Sequence, residues 1–335
     1  MKKQILALVL VATGLVFGAA AQANAEALVV VNTVNQILTF DSATPGTTAA
    51  VPINGLTAGD TIIGIDRRPI NGLIYAVAQG AGGVGRIYTV DAATGAANIV
   101  STMNVPLVGT SFGVDFNPVT DTTGLPSLRI VSNLRQNLRV EVATGATLVD
   151  GTLTPAVIVS PLDPNIGAAA YTNNFAGATS TTLYDIDFFR DRLVIQNPPN
   201  SGTLIRVGEL APLVPPMGAD ITNDLVNFDI SGLSGIAYAS LTPPTANFSV
   251  LYTINLGTGL ASLVGTIGGG SPLVGLAAPV GNPVPEPTTM LLLGTGLAGV
   301  ATKIRQKREI TKSHEAHRLR FFTTELPASR LLLGG

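Results

Sequence analysis

The sequence predicts an all-β protein, a β-propeller built from four-stranded blades. One short strand signal, of the kind Leu-Tyr-Thr-Ile-Asn, recurs along the chain at intervals of about 50 residues. No segment between the two ends of the chain shows a sustained apolar period of 3.6 residues, which argues against long amphipathic helices. Four short strands in each repeat of this length are typical of propeller blades, because a small sheet buries both faces by stacking on neighbouring sheets.

Five copies of this strand signal align, and turns follow three of them. The copies begin at Leu38, Ile87, Leu138, Leu204 and Leu251. Thr-Gly turns between apolar runs, at residues 93–96, 143–146 and 257–259, predict hairpins. Another apolar strand precedes each copy, and in four of the units an Asp-bearing strand precedes that one.

The expected number of blades follows from the ends of the repeat region. Four units are complete, and the fifth is expected to be divided, with its first strand at 272–277 and its other three at 27–55. Pairing of these segments would close the ring in a chain that has no Cys. We therefore expect five blades, with six as the alternative and a β-sandwich or β-helix as the competing topology. The long interval after Leu138 predicts a loop or an extra hairpin at about residues 151–182.

Residues 1–25 have the three-part order of a secretory signal peptide. A basic start is followed by a nearly uncharged apolar run and by the cleavage site Ala23-Asn24-Ala25. We expect the Sec machinery to export the chain and cleavage to leave Glu26 as its first residue. The alternative is a buried N-terminal helix. The exported domain is expected to span residues 26–280.

Residues 281–308 have a second three-part order, in which Val284-Pro285-Glu286-Pro287 precedes an apolar run and a basic cluster. The apolar run, residues 288–302, is shorter than the roughly 20 residues that span a bilayer. The basic cluster stands where a positive-inside stop is expected. These features predict transient membrane anchoring through a short helix. Residues 309–335, which contain both histidines, are expected to be disordered.

This C-terminal order resembles the PEP-CTERM sorting signal. The resemblance implies a protein that is exported by a Gram-negative bacterium making exopolysaccharide. It also implies that exosortase, a membrane transpeptidase, processes the chain at the Pro-Glu-Pro motif. The expected location is therefore the cell surface or the extracellular matrix.

The basic residues of the two ends of the chain offset the negative charge of the exported domain. The whole chain has a net charge of −2, whereas residues 26–287, with nine Arg and eighteen acids, have a net charge of −9. A domain this anionic is not expected to bind nucleic acid, which requires a cationic surface. The same residues include no Lys, His, Cys or Trp, which excludes a Ser-His-Asp triad, a Schiff-base lysine and a cysteine nucleophile.

Several segments of the repeats are similar to those of one bacterial family. They are Gly64–Pro69, Phe112–Pro118, Gln136–Arg139, Ala170–Asn174, Thr182–Asp187, Gln196–Asn200 and Tyr252–Leu256. Together they resemble the DUF4394 family, of unknown function, over about residues 28–277. The resemblance implies no established activity.

Four Asp residues with equivalent places in the repeats are the candidate channel or ligand residues. They are Asp66, Asp115, Asp187 and Asp229. A ring of carboxylates near the channel could bind a cation or sugar hydroxyls, and a pair at a suitable separation could hydrolyse a glycosidic bond. The alternative, which we favour, is that each Asp accepts backbone N–H groups at a strand end or turn.

Asp115, Asn117 and Asp121 have part of the spacing of a calcium loop. The segment lacks the Gly at position six and the Glu at position twelve of an EF-hand. Calcium is therefore a secondary hypothesis, and no other cofactor is expected.

Two glycine motifs are assigned no chemistry. Residues 109–113 match the G-x-S-x-G elbow around Ser111, but a strand follows them and residues 26–287 contain no His base. Residues 80–85 match G-x-G-x-x-G but lead into a strand, so they predict a hairpin loop.

Two functions are consistent with these features. The first is a non-catalytic binding or structural module at the cell surface, with extracellular polysaccharide as its partner and no catalytic residue. The second is a carboxylate-dependent, glycosidase-like enzyme at the mouth of the channel. Arg129, Arg135 and Arg139 are the densest group of cations, and they either bind anionic sugar or pair with nearby acids.

Overall fold

The computed structural model describes residues 25–157, 164–210 and 224–282, and four helical residues farther on, Lys303, Arg305, Lys307 and Ile310. The chain divides into two units, Met1–Pro283 and Val284–Gly335. In the described part of the first unit, the only helical segments are two short 3₁₀ turns, Ala81–Gly83 and Pro199–Ser201. Within the described residues, no helix combines the length and the apolar character needed to cross a membrane.

Strands make up almost all of the described secondary structure. The chain begins with β1 (Ala27–Asn32), β2 (Gln36–Asp41) and β3 (Thr48–Pro52). Blade 1 follows, with β4 (Thr61–Arg67), β5 (Ile74–Gln79), β6 (Gly85–Val90) and β7 (Ala97–Thr102). Blade 2 contains β8 (Phe112–Phe116), β9 (Leu128–Ser132), β10 (Asn137–Val140) and β11 (Thr147–Val149).

The second half of the ring has the same plan. Blade 3 contains β12 (Thr154–Pro155), β13 (Ile166–Tyr171), β14 (Leu183–Asp187), β15 (Arg192–Gln196) and β16 (Thr203–Glu209). Blade 4 contains β17 (Val226–Ile230), β18 (Ala237–Leu241), β19 (Val250–Ile254) and β20 (Ala261–Thr266). The last strand of the domain is β21 (Leu273–Ala277).

Blade 5 is assembled from the two ends of the domain. Strand β21 pairs antiparallel with β1, with Val29 opposite Ala277, and β1, β2 and β3 complete the sheet. The innermost strands of the five blades, β4, β8, β13, β17 and β21, contact one another in a closed circle. The predicted five-bladed propeller with a divided fifth blade is therefore confirmed.

The hydrophobic core lies between adjacent blades. Phe116, Leu128 and Ile130 of blade 2 are buried against Val77 and Ile87 of blade 1, and the other blade pairs have similar clusters. Each blade is a single twisted sheet, so these contacts are what remove its two apolar faces from water.

Two positions show why glycine recurs in the Gly-x-Asp strands and in the Thr-Gly turns. A Cβ on Gly113, in the Gly-x-Asp strand of blade 2, would lie 2.5 Å from the Ala169 backbone nitrogen on the next inner strand. Gly145, in a Thr-Gly turn, has a φ of +77°, and a Cβ there would lie 2.1 Å from the Thr102 carbonyl oxygen of blade 1. Both glycines therefore allow neighbouring blades to approach closely.

Residues 151–182 are more than the loop or extra hairpin that we predicted. They contain β13, which is the innermost strand of blade 3, and β12, which adds a short parallel strand at the outer edge beside β16. The sequence of β13, Ile-Gly-Ala-Ala-Ala-Tyr, has no Gly-x-Asp signal, so the repeat pattern did not identify it. Its small residues instead fit the close packing of the inner circle.

Candidate functional site

Three carboxylates meet inside the circle of inner strands, near the carboxyl ends of those strands. Asp66, Asp115 and Asp229 lie on β4, β8 and β17, and each is 1% exposed. One carboxylate oxygen can be taken from each residue so that all three oxygens lie within 4.8 Å of one another. We name these three residues the Asp cluster.

Hydrogen bonds between blades explain why Asp recurs at this place. The Phe116 N–H donates to Asp66 Oδ2 at 2.8 Å, and the Ala278 N–H donates to Asp229 Oδ2 at 2.6 Å. Each donor belongs to the next inner strand of the circle or directly follows it. The other oxygen of each carboxylate accepts the N–H of the next residue in its own chain segment. The predicted capping of backbone N–H groups is therefore confirmed for Asp66 and Asp229.

Asp115 differs from the other two members of the cluster. Neither of its oxygens has a hydrogen-bond partner among the described residues, although the side chain is fully enclosed. The Tyr171 N–H, on the next inner strand, lowers the pKa of Asp115 but does not complete a hydrogen bond with it. A buried carboxylate without donors is costly, so Asp115 requires a proton or a cation.

Burial and mutual repulsion raise the pKa of every carboxyl in the cluster. Burial raises the pKa of Asp66 well above its ordinary value, and the charge of Asp229 raises it further. Burial, followed by the charges of Asp66 and Asp229, does the same to the pKa of Asp115. Burial raises the pKa of Asp229 to about 6, against the lowering effect of the Ala278 and Ile230 amides. Three ionised carboxylates are therefore unstable here without a compensating cation.

Asp187 does not belong to the cluster, so its predicted equivalence was wrong. It ends β14, the second strand of blade 3, because the inner strand of that blade is β13. Its Oδ2 accepts a hydrogen bond from Arg190 Nη1 at 2.9 Å, and its Oδ1 accepts one from the Asn165 N–H at 3.2 Å.

The predicted calcium loop is not assembled either. Asp121 accepts hydrogen bonds from Arg68 Nε at 2.6 Å and from the Ile70 N–H at 3.1 Å, so its carboxylate anchors a loop of blade 1. The Asn117 side chain accepts the N–H of a residue in its own turn. Neither residue joins Asp115, because the turn after β8 directs them to these local partners.

A cavity of about 490 Å³ lies at the opposite end of the inner strands, where they begin. We name it the mouth cavity. Its polar lining residues are Thr61, Gln79, Thr110, Ser111, Asp224 and Asn227. Its volume falls within the range of small-molecule sites. Asp224 is the one carboxylate residue among the described residues of the lining.

Both glycine motifs contribute to the wall of the mouth cavity. Gly80 begins the predicted hairpin loop, and Ser111 lies just before β8. Ser111 Oγ donates to the Asp224 carbonyl oxygen at 2.6 Å, so the hydroxyl holds two loops together. The sequence did not reveal the cavity because its lining comes from loops and strand starts of several blades.

The channel narrows between the mouth cavity and the Asp cluster. The space there is about 10 Å³, lined in part by Gly64, Gly113 and Gly275. That volume holds about one water molecule.

A second buried polar network lies between blades 2 and 3. The Arg129 side chain, 1% exposed, donates from Nη1 to Asn137 Oδ1 at 2.6 Å and to Asp150 Oδ2 at 2.7 Å, and from Nη2 to Asn200 Oδ1 at 2.8 Å. Arg139 Nε donates to the same Asp150 Oδ2 at 2.7 Å. Arg129 and Arg139 therefore pair with an acid of the protein, which is one of the two alternatives stated above.

Asp185 is a buried carboxyl beside this network. Neither of its oxygens has a hydrogen-bond partner among the described residues. Burial raises its pKa to about 8, although the positive charge of Arg129 lowers it. At neutral pH this side chain is therefore mainly protonated.

Comparison with protein families gives two matches. The model described as "Domain of unknown function (DUF4394)" matches residues 36–277, and the model of the PEP-CTERM protein-sorting motif matches residues 283–306. Both predicted resemblances are confirmed. The sorting motif implies an exosortase-processed protein exported to the cell envelope or surface.

Three terminal predictions lie outside the described residues. They concern the signal peptide up to residue 24, the sorting tetrapeptide Val284–Pro287 with the apolar run after it, and the tail beyond Ile310.

Solved structures resemble this chain at low identity. TolB from Acinetobacter baumannii is 14% identical with a TM-score of 0.38, over 72% of this chain and 53% of TolB, so this chain spans about half of TolB. A chain of a nidogen/laminin complex is 12% identical with a TM-score of 0.42, and the match covers 77% of this chain and 99% of that one. A protein of unknown function from Bacteroides thetaiotaomicron is 14% identical with a TM-score of 0.42, and the match covers 73% of this chain and 59% of that one. No curated protein sequence matches.

Proposed function

The chain belongs to the DUF4394 family, a domain family of unknown function, and from this premise we propose that its propeller is a non-catalytic glycan-binding module at the cell surface. The mouth cavity is the observation that carries the proposal. Its lining includes amide and hydroxyl residues, of which Thr61 and Thr110 are exposed, whereas Ser111 is buried and already donates within the protein. These groups donate and accept hydrogen bonds, as sugar hydroxyls do.

The position of the carboxyl groups favours binding over glycoside hydrolysis. Hydrolysis requires two carboxyl groups on opposite sides of the scissile bond, about 5 Å or about 6.5–9.5 Å apart. The described lining of the mouth cavity includes a single acid, Asp224. The Asp cluster is enclosed at the other end of the inner strands, beyond the constriction.

The charge of the domain selects the class of glycan. Residues 26–287 have a net charge of −9, and Arg129 and Arg139 both pair with Asp150 outside the lining of the mouth cavity. A polymer with many uronic acid groups would be repelled at low ionic strength. The preferred ligand is therefore a neutral, hydroxyl-rich glycan.

The start of the domain supports processing by a signal peptidase. Ala25 is exposed, whereas Glu26 is buried, with its N–H donating to Ser42 Oγ at 2.9 Å. The Glu26 carboxylate also accepts a hydrogen bond from Ser231 Oγ at 3.0 Å. Cleavage after Ala25 would leave β1 and the closure of blade 5 intact.

Filling the mouth cavity is expected to abolish glycan binding. Thr61 lines the cavity and is exposed, so Thr61→Tyr adds a ring inside the cavity at a strand position that favours Tyr. Binding to neutral glycans, measured on an array and then by calorimetry, should weaken by about tenfold or more. Thr122→Tyr, at an exposed loop position outside the cavity lining, is the matched control and should bind as the unchanged protein does. Equal binding by the two variants would contradict the proposal.

Changes in the sorting motif are expected to block processing. Glu286→Gln removes the acidic group of Pro-Glu-Pro while keeping its size, so exosortase should no longer release the chain from the membrane. Immunoblots of membrane and medium from an exosortase-containing host should show retained, full-length protein. Thr289→Ala, just outside the tetrapeptide, serves as the control. Normal release of the Glu286→Gln protein would show that the motif is not used.

A further inference from the structure

The Asp cluster has the geometry of a cation site that joins three blades. Its members come from blades 1, 2 and 4, and they are far apart in the sequence. Each contributes one oxygen to a group in which all separations are within 4.8 Å. Like charges this close repel one another strongly in a buried place, so the arrangement requires that a carboxyl is protonated or that a cation lies among the oxygens.

The unpartnered oxygens of Asp115 indicate where such a cation would lie. Asp66 and Asp229 each hold two backbone N–H donors, which fix the orientation of both carboxylates. Asp115, which is 1% exposed, accepts no well-formed hydrogen bond from the described residues, although the Tyr171 N–H and the Asp229 carboxyl are close enough to change its pKa. Its oxygens are therefore available as ligands, while the other two carboxylates are already oriented around them.

The nearest positive charge of the protein does not replace a bound cation. The positive charge of Arg67 lowers the pKa of Asp66 and of Asp229, but burial raises both pKa values by more. Arg67 Nη1 donates to the Gly72 carbonyl oxygen at 3.4 Å. One guanidinium beside three carboxylates also leaves an excess of negative charge.

We propose that Asp66, Asp115 and Asp229 together bind one divalent cation, Ca²⁺, on the axis of the propeller. Ca²⁺ prefers carboxylate and other hard oxygen ligands at about 2.3–2.6 Å, so two oxygens on one ion lie at most about 5 Å apart. Mg²⁺, with bonds of about 2.0–2.1 Å, limits that separation to about 4.2 Å. The oxygens of the cluster lie within 4.8 Å of one another, an upper bound that both ions satisfy. Ca²⁺ is preferred because Mg²⁺ usually keeps several waters and is bound by only one or two carboxylates.

The constriction is lined by residues of the same inner strands, β4, β8 and β17, that carry the cluster. It holds about one water molecule, which suits an ion that takes more ligands than the three Asp residues provide. The bound ion would hold the inner strands β4, β8 and β17 together from inside the channel. Bound Ca²⁺ would therefore stabilise the fold, at a site separate from the mouth cavity.

Calorimetry and thermal unfolding of the purified full chain test this proposal. The protein is freed of metal with a chelator at neutral pH, and CaCl₂ or MgCl₂ is added. We expect one Ca²⁺ per chain, a higher Tm with Ca²⁺ than without it, and a smaller effect of Mg²⁺. Asp115→Asn should weaken Ca²⁺ binding by about tenfold or more and remove the rise in Tm.

Asp185→Asn is the matched control for the loss of a buried, unpartnered carboxyl. Asp185 lies outside the cluster, so its replacement should leave Ca²⁺ binding unchanged. Circular dichroism in the chelator shows whether each variant is folded, and Asp229→Asn replaces Asp115→Asn if the latter is unfolded. Absence of Ca²⁺ binding to the unchanged protein, or unaltered binding by the folded cluster variant, would overturn the proposal.

Discussion

Replacing Arg129 by Met is expected to lower the free energy of unfolding by about 3 kcal/mol or more. The Arg129 guanidinium is 1% exposed and donates to Asp150, Asn137 and Asn200. Met fills a similar volume but supplies no donor, so buried acceptors lose their partner and their desolvation is no longer offset. The free energy is measured by urea denaturation of the purified protein.

A surface arginine provides the control for this prediction. Arg206 pairs with Glu209 at 2.8 Å, but the two side chains are 57% and 41% exposed. Arg206→Met should therefore change the free energy of unfolding by less than about 1 kcal/mol. Similar losses in the two variants would mean that the network between blades 2 and 3 contributes no more than a surface pair.

Replacing Asp185 by Asn is expected to make the protein less sensitive to alkaline pH. The pKa of Asp185 is about 8 in the folded protein, well above the ordinary value of 3.8, because the side chain is buried. Between these two pKa values the folded state holds a proton that the unfolded state has lost. The contribution of Asp185 to the free energy of unfolding is therefore fully present below about pH 4, and it is lost as the pH rises through about 8.

The size of this effect follows from the difference between the two pKa values. Between pH 5 and pH 8 the unchanged protein should lose on the order of 3 kcal/mol through this one group. Asn cannot ionise, so Asp185→Asn should lack that loss. Urea denaturation at the two pH values, in the presence of a chelator, gives the comparison. Parallel pH dependence in the two proteins would show that Asp185 is ionised in the folded state.

The repeat pattern predicted most of the strands of the fold, but it did not predict the inner strand of blade 3. The spacing of the strand signals predicted five blades and the pairing of β21 with β1, because each blade repeats the same local interactions. The inner strand of blade 3, Ile166–Tyr171, has no Asp, whereas the inner strands of blades 1, 2 and 4 each have one. Its place depends on packing against β8 and β17, which are distant in sequence. For that reason Asp187 was assigned to the wrong strand.

The two candidate sites differ in how far the sequence predicted them. Repetition of Asp in equivalent strands indicated Asp66, Asp115 and Asp229, because residues in equivalent places of a closed ring converge on its axis. The mouth cavity had no such signal. Its residues, among them Thr61, Ser111 and Asn227, come from different blades and do not repeat as a motif.

The sequence by itself determined that this is an exported, all-β repeat protein with an acidic domain and a PEP-CTERM tail. Those properties depend on composition, spacing and contiguous motifs, all of which are local. Only the tertiary structure decided that Asp115 lacks a donor while Asp66 and Asp229 have two each. Hydrogen-bond partners and burial depend on which strands become neighbours when the ring closes, and those strands are distant in the sequence.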